Sequence, residues 1–522
     1  MSSITPSSVL ATHYDFIVCG SGSSGSVIAA RLSENPAVRV LLLEAGGDDT
    51  APFVSEAAAW PMNIGSERDW GFTSQPDSNL NGRSVPLSMG KALGGGSTIN
   101  TMIWARGHQT DWDFFASEAG DPAWNYQSVL SIYRRIEDWH GEPDPKYRGV
   151  GGPLFVEPAP NPNPMAPAML EGCRSLGIPV YENQNGRMME DAGGASIVDI
   201  RVRDGKRQSV FRSYVFPHLD RPNLTILPHA LVTKLIFVGR RAAGVEIVLE
   251  NETQRVFAAS EVILSLGAIN TPKVLMQSGI GDEAELKRFG IPVVQHLRGV
   301  GQNFQDHVGF DSVWEAPEPL SPRNNLAEAM VFWKSDPKLE SPDMQIILGE
   351  FFKSTPENIA RFQAPTNGWI LFGGLERPKS RGRIRITGPN PTDPVQIDTN
   401  FLSHPDDLKA ALACIELSRD IGNSAALKPF ATHEVMPGNL KGADLEEYAR
   451  NAASTYWHET CTAKMGRDAM SVVDGNLKVY GVENLRIVDG SIMPRITTGN
   501  TMAPCIVIGE RAAEILRAQH KL

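Results

Sequence analysis

Apolar positions fall in short runs along this chain, and their spacing predicts particular elements. Residues 14–19 form a compact, β-prone apolar run. A glycine- and serine-rich turn follows at 20–25, and residues 26–32 carry the apolar spacing of a helix. Residues 38–43 are again nearly continuous in apolar side chains, as in a parallel strand covered on both faces. Strand, turn, helix and strand within about thirty residues make a βαβ unit. Two later runs end in similar turns. Residues 262–266 lead into Gly267, with a helix from about 272 to 277; residues 485–488 lead into Asp489, with a final amphipathic helix from about 503 to 517.

The middle of the chain reads differently. Pro-rich stretches at 157–167 and 316–322 suit crossings between domains, where fixed backbone angles and exposed loops are tolerated. Between 310 and 450, β-prone runs at 345–349, 369–373 and 383–387 alternate with a helical pattern near 408–421. This is expected to be a second domain covering the first. No internal repeat or long low-complexity tract is evident.

With 522 residues the chain can bury a large core, and its length suggests two or more domains. The net charge of −11 argues against a nucleic-acid partner, which normally needs a basic face. Residues 1–13 lack the charged and apolar regions of a signal peptide, and no run approaches the roughly 20 apolar residues of a membrane span. The five cysteines (Cys19, Cys173, Cys414, Cys461 and Cys505) are scattered, without metal-ligand spacing. Reduced thiols in a cytoplasmic protein, without a metal or membrane partner, are the simplest expectation.

The turn Gly20-Ser21-Gly22-Ser23-Ser24-Gly25 fits GxGxxG after a strand and before a helix. Gly20 allows the tight turn, Gly22 lets backbone approach a pyrophosphate, and Gly25 lets helix pack on strand. The phosphate would lie at the helix N-terminus, where free N–H groups favour negative charge. Glu44 ends the second strand, 19 residues after Gly25, where a carboxylate can accept from both ribose hydroxyls. Its charge disfavours a 2′-phosphate. The motif alone leaves NAD and FAD both open.

Four further segments carry recognisable motifs. The first runs from Gly90-Lys91-Ala92-Leu93-Gly94-Gly95-Gly96-Ser97-Thr98-Ile99-Asn100 to Arg106-Gly107 and Asp111-Trp112. The second is Gly267-Ala268-Ile269-Asn270-Thr271-Pro272 through Ser278-Gly279-Ile280-Gly281, and the third is Val300-Gly301-Gln302-Asn303-Phe304-Gln305-Asp306-His307. The fourth runs from Trp457-His458 through Met465-Gly466 and Val488-Asp489-Gly490-Ser491 to Gly499-Asn500-Thr501. Together they span nearly the whole chain, and in content and order they resemble the segments of the glucose–methanol–choline oxidoreductases.

The resemblance implies an α/β fold: a Rossmann-like FAD-binding domain with a parallel sheet, and a second α+β substrate-binding domain with an antiparallel sheet. The FAD-binding domain would take residues 1–155, 205–309 and 455–522; the substrate domain would take 156–204 and 310–454. FAD would be held by Gly20, Gly22, Ser23, Ser24, Gly25, Glu44 and Ala45, and by Gly90, Gly94, Gly95, Ser97, Asn100, Thr101, Met102 and Ile103. The Val232 backbone would meet adenine, and Asp489, Gly490, Asn500, Thr501 and Met502 would complete the cofactor set. For Asp489, a helix cap is the competing role.

Two departures from the family pattern stand out. Some members attach FAD through a histidine whose position here is held by Ile99, so FAD is expected to be non-covalent. The usual His-Pro-x-Gly-Thr reads His458-Glu459-Thr460-Cys461-Thr462, which alters the local pocket.

By resemblance His458 is the base that takes the alcohol proton as hydride leaves for flavin N5, a role suited to neutral imidazole. Asn500 would donate to the substrate oxygen, and the Thr501 and Met502 N–H groups would face the flavin pyrimidine edge. His307 is expected to order a loop. A Cys461 thiol nucleophile lacks an accompanying oxyanion motif, and His458, Glu459 and Cys461 are not read as metal ligands. Trp457 beside the base resembles a pairing seen in members acting on aromatic or furanic alcohols. It points to a small aryl or heteroaryl methanol, against a plain packing role on flavin or core. The expected partners are that alcohol and an electron acceptor, oxygen or another. A hydroxynitrile lyase on the same fold is the alternative.

Overall fold

In the computed structural model, which describes residues 10–522, the first apolar run forms strand His13–Cys19. It lies between Val40–Leu43 and Glu252–Leu264, parallel to both. Leu224–Leu227 adds in parallel beyond Val40–Leu43, and Leu485–Ile487 adds in parallel beside Glu252–Leu264. An antiparallel meander, Arg241–Leu249 and Leu231–Val238, completes the seven-stranded sheet. All four residues of Val40–Leu43 are fully buried, the reason that strand reads as a continuous apolar run.

The first helix is Ser23–Leu32. It begins earlier than its apolar spacing suggests, so Gly25 lies inside it. A Cβ on Gly25 would stand 1.9 Å from the Gly20 carbonyl oxygen, so only glycine lets the helix sit this close to the turn. The helix packs against the C-terminal helix Met502–His520, with Ser24 Oγ donating to the Cys505 carbonyl at 2.7 Å.

Helix Gly267–Gln277 also starts before its expected position and carries Pro272 internally. Proline cannot donate to the carbonyl four residues back. That carbonyl, of Ala268, instead accepts from Thr462 Oγ1 at 2.6 Å. The compensating hydroxyl comes from the segment that begins at His458, so the helix and that segment are tied together.

The second sheet is antiparallel in the order His433–Met436, Val308–Glu315, Gly368–Leu375, Met344–Gly349, Ala329–Trp333 and Gly194–Ile197, with Ser454–Thr455 also paired to Val308–Glu315. Alternation divides its strands between two cores. Ile346, Leu348, Trp369 and Leu371 join one cluster with Trp314, while Ile347, Ile370 and Phe372 join the other. Residues 383–387, expected among these strands, instead form Gly382–Ile386 in a separate three-stranded sheet with Gln302–Phe304 and Val395–Asp398. The architecture is mixed α/β, with one largely parallel sheet and one antiparallel sheet. Among the described residues no helix is long and apolar enough to cross a membrane.

Candidate active site

A long cleft runs from the first βα turn to the face of the antiparallel sheet that carries Ile347, Ile370 and Phe372. At its first end, two glycine loops lie back to back. A Cβ on Gly95 would stand 2.7 Å from Gly22 Cα, and Gly94 N donates to the Ser21 carbonyl at 3.1 Å. Gly20 adopts φ +99°, and its Cβ would meet the Ser265 carbonyl oxygen at 2.3 Å. Gly22 differs: its Cβ would meet nothing within 4 Å and would project into open space. Two helices at the cleft, Ser23–Leu32 and Met502–His520, begin without a side-chain cap, at Gly22 and Thr501. Uncapped N–H groups beside a glycine-bared wall fit a diphosphate at one end and a developing negative charge at the other.

Glu44 lines this end, buried, with its carboxyl pushed up by desolvation. It already accepts from Ser21 Oγ at 2.7 Å, Ser21 N at 3.1 Å and Gly46 N at 2.9 Å. These fill three of a carboxylate's roughly four acceptor sites, so one strong donor remains to be taken, rather than two. Ala45 and Val232 line the same region. Asp489 also lines the cleft, but its oxygens accept from Thr271 Oγ1 (2.6 Å), Gly267 N (2.9 Å) and Ser491 N (2.8 Å). It therefore caps the Gly490–Ile492 turn and staples it to helix Gly267–Gln277.

Gly90, Gly95, Ser97, Asn100, Thr101 and Ile103 face the cleft, as do Ser23, Ser24, Gly490, Thr501 and Met502. Three of the expected cofactor residues do not. Gly25 is taken up by its contact with Gly20, and Gly94 by a turn in which a Cβ would lie 2.3 Å from Thr98 Oγ1. Met102 is buried in left-handed backbone at φ +60°, its N–H on Asn100 Oδ1. Asn100 is itself held by the buried Arg207 guanidinium, at 2.8 Å from Oδ1.

At the other end His458, 8 % exposed, stands on the cleft wall. Asp306 organises its turn by accepting the His458 N–H at 2.9 Å and the Thr455 hydroxyl. Asn500 Nδ2 lies 3.2 Å from His458 Nε2, and Gln345 Nε2 donates to Asn500 Oδ1 at 3.5 Å. An amide nitrogen can only donate, so Nε2 is the lone-pair nitrogen of the ring. The proton then sits on Nδ1, which donates to His307 Nδ1 at 2.9 Å. That is the tautomer a general base needs, with its lone pair toward the cleft. Burial pushes the His458 pKa down to about 3, keeping the imidazole neutral.

His307 does more than order a loop. Its carbonyl accepts the Tyr456 N–H at 3.1 Å, while its ring is the acceptor that sets the His458 tautomer. Burial also drives His307 well below the usual range, and the neighbouring imidazole adds to this. Behind it, buried Glu376 is pushed well up by desolvation, and its Oε1 stands 3.5 Å from His307 Nδ1.

Cys461 is unsuited to nucleophilic work. It is fully buried, burial pushes its thiol up to about 12, and it occupies φ +74°, backbone that favours glycine. Glu459 is buried at the cleft wall with both carboxyl oxygens unpartnered; desolvation, then the Asp306 charge, raise its pKa strongly. Trp457, at φ +61°, lines the cleft with Tyr456, Phe372, Phe351 and Trp60. Of these only Trp457 was singled out in the sequence. Ile347, Ile370 and Phe372 could have been found from strand alternation, whereas Gln345 and Lys353 carry no motif.

Comparison with known proteins accords with this geometry. The N-terminal GMC oxidoreductase profile matches residues 14–309, and the C-terminal one matches residues 378–509. The chain is 36% identical to the alcohol dehydrogenase [acceptor] of Pseudomonas putida, over 96% of this chain and 95% of that one. It is also 36% identical to the mitochondrial choline dehydrogenase of Homo sapiens, over 98% of this chain and 91% of that one. Among solved structures, pyridoxine 4-oxidase from Mesorbium loti superposes with a TM-score of 0.91 at 31% identity, covering 98% of this chain and 99% of that one. A fungal aryl-alcohol oxidase shares the fold, with a TM-score of 0.85 at 22% identity over 98% of this chain and all of the other. The chain belongs to the GMC oxidoreductase family, whose members act on CH–OH groups and for which FAD is the implied cofactor.

Proposed function

We propose that this protein oxidises a small primary alcohol, aromatic or heteroaromatic, to the aldehyde, with His458 as the base. The observation carrying this reading is the His458 ring itself: neutral, its Nε2 lone pair turned to the cleft, and its Nδ1 proton committed to His307. Bound FAD would supply the two-electron acceptor. Residues Gly20, Gly22, Ser23, Ser24, Glu44, Ala45, Gly90, Gly95, Ser97, Asn100, Thr101, Ile103, Val232, Asp489 and Gly490 would hold it. Ile99 lines the cleft where a covalent histidine link would need a nucleophilic nitrogen, and its hydrocarbon side chain supports non-covalent binding.

His458 takes the hydroxyl proton, and Asn500 Nδ2 turns its N–H to the resulting alkoxide-like oxygen. Gln345 holds the Asn500 amide in that orientation. The backbone N–H groups at Thr501 and Met502, the uncapped start of a 19-residue helix, stabilise negative charge building at that end. The rings of Trp457, Tyr456, Phe372, Phe351 and Trp60 wall off water and offer flat surfaces to an aromatic alcohol. The likeness to pyridoxine 4-oxidase supports a heteroaryl methanol. Five unpaired cysteines suit the cytoplasm. The acceptor is oxygen or another oxidant.

The test is anaerobic mixing of the purified protein with benzyl, furfuryl and pyridyl methanols. Bleaching of the flavin absorbance with release of aldehyde is expected. Release of cyanide from a cyanohydrin without bleaching would replace this reading with a lyase.

A further inference from the structure

Lys353 stands in the aromatic wall next to the base, and nothing in the reaction described so far requires it. Its ammonium lies 3.8 Å above the centroid of Phe372 and 5.7 Å from that of Trp457. Phe372 stacks on Tyr456 at 4.1 Å, and the Tyr456 ring centroid is 5.7 Å from that of His458. Two rings, Phe372 and Tyr456, therefore stand between the ammonium and the imidazole along one face of the cleft. We propose that Lys353 is the counter-ion for a negatively charged substituent of the substrate. The preferred substrates are then aryl or heteroaryl methanols carrying a carboxylate across the ring from the carbinol. This rests on the alcohol-oxidising reading above and narrows it.

The charge arrangement supports the assignment. Lys353 Nζ has two protein partners, Asp311 Oδ1 at 3.3 Å and Ser454 Oγ at 3.4 Å, both longer than the roughly 2.8 Å of a good charge-assisted bond. An ammonium carries three donors, so capacity remains for an incoming carboxylate. Asp311 is fully buried in the antiparallel sheet and does not line the cleft, whereas the Lys353 side chain is 25% exposed and does. The pair therefore turns its positive end to the substrate. Three acidic side chains line the cleft, Glu44, Glu459 and Asp489, and none forms an ion pair with Lys353. A cationic alcohol entering here would meet like charge beside rings that Lys353 already covers.

The experiment compares three para-substituted alcohols on the FAD-loaded protein: 4-(hydroxymethyl)benzoate, benzyl alcohol and 4-(aminomethyl)benzyl alcohol. The expected order of kcat/KM is anion, neutral, cation, with the difference mainly in KM. Lys353→Met should reduce the preference for the anion over benzyl alcohol by roughly 10- to 100-fold, the value of one hydrogen bond to a charged group, and Lys353→Arg should restore much of it. Because Lys353→Met strands a buried carboxylate, the double variant Lys353→Met/Asp311→Asn is measured beside it. A cation preferred by the wild type, or a charge preference that survives both Met variants, overturns the proposal. Non-reacting 4-methylbenzoate and 4-methylbenzylamine, titrated against the flavin absorption spectrum, read the same preference without turnover. Selective binding of the benzoate with no bleaching by any alcohol would keep the anion site and sink the oxidation reading alone.

Discussion

The two ends of the cleft are built by opposite means. The nucleotide end is made of backbone: Gly20, Gly22 and Gly95 bare the wall, and the start of helix Ser23–Leu32 supplies N–H groups without a side-chain cap. Those glycines lie on one short stretch of chain and one later glycine loop. The alcohol end is made of side chains brought from far apart. Gln345 and Asn500 are 155 residues apart, and His307 and His458 are 151 apart, yet the four join in one hydrogen-bonded row. A backbone site tolerates little change at its glycines but much around them. A side-chain site can change substrate by exchanging single residues while the base stays in place.

That contrast predicts a graded series of effects. The largest belongs to the backbone end. Gly25→Val would push a side chain into the Gly20 carbonyl, where even a Cβ stands at 1.9 Å. Purification should yield no soluble yellow protein, and a folded variant with full flavin content would break the comparison. Next comes Asn500→Ala, which removes the donor to the developing oxyanion. Flavin reduction by benzyl alcohol should slow about 10²- to 10³-fold with the flavin still bound.

Gln345→Leu should have a smaller effect, because Gln345 acts through Asn500. The loss of one neutral hydrogen bond corresponds to about 1 kcal/mol, a rate loss of roughly fivefold, and Gln345→Glu, which keeps an acceptor but not the donor, should not recover it. Wild-type speed in both variants would remove Gln345 from the row.

The pH profile sharpens the alcohol end further. Burial holds His458 neutral down to about 3. Acidification from about pH 8 to 5 should therefore not inactivate the base by protonating it, unlike an imidazole near its ordinary 6.5. Burial raises the Asp306 carboxyl, which holds the His458 turn. An acid limb in the reduction rate should accordingly disappear in Asp306→Asn; its persistence there would contradict Asp306 as its source. The smallest effect is expected from Cys461→Gly. It relieves left-handed backbone at φ +74° but also removes a buried thiol, so stability should change little and flavin reduction should stay close to wild type.

The same contrast explains what could be read before the structure. The GxGxxG turn, the Glu44 strand end and the start of the final helix are local patterns, and each contributes residues to the cleft wall. Their boundaries were less legible: helix Ser23–Leu32 starts earlier than its apolar spacing shows, and helix Gly267–Gln277 has its first turn tied to the remote Asp489 and Thr462. Gly94 and Met102 belong to the same motif as Gly95 and Asn100, but the turn faces them inward, a distinction no linear pattern carries. His307 was recognised within its segment, yet its contact with His458 follows from how Val308–Glu315 and Ser454–Thr455 pair. Gln345 and Lys353 were invisible as site residues because they sit in or just beyond an ordinary apolar strand, and only sheet pairing brings them to the base.

The most direct test is rapid-mixing flavin reduction in His458→Ala, under anaerobic conditions with benzyl alcohol. The account predicts a yellow, fully loaded variant whose reduction is slowed about 10²- to 10⁴-fold, the usual contribution of a positioned base. Reduction at the wild-type rate by a folded, flavin-bound His458→Ala protein would contradict it.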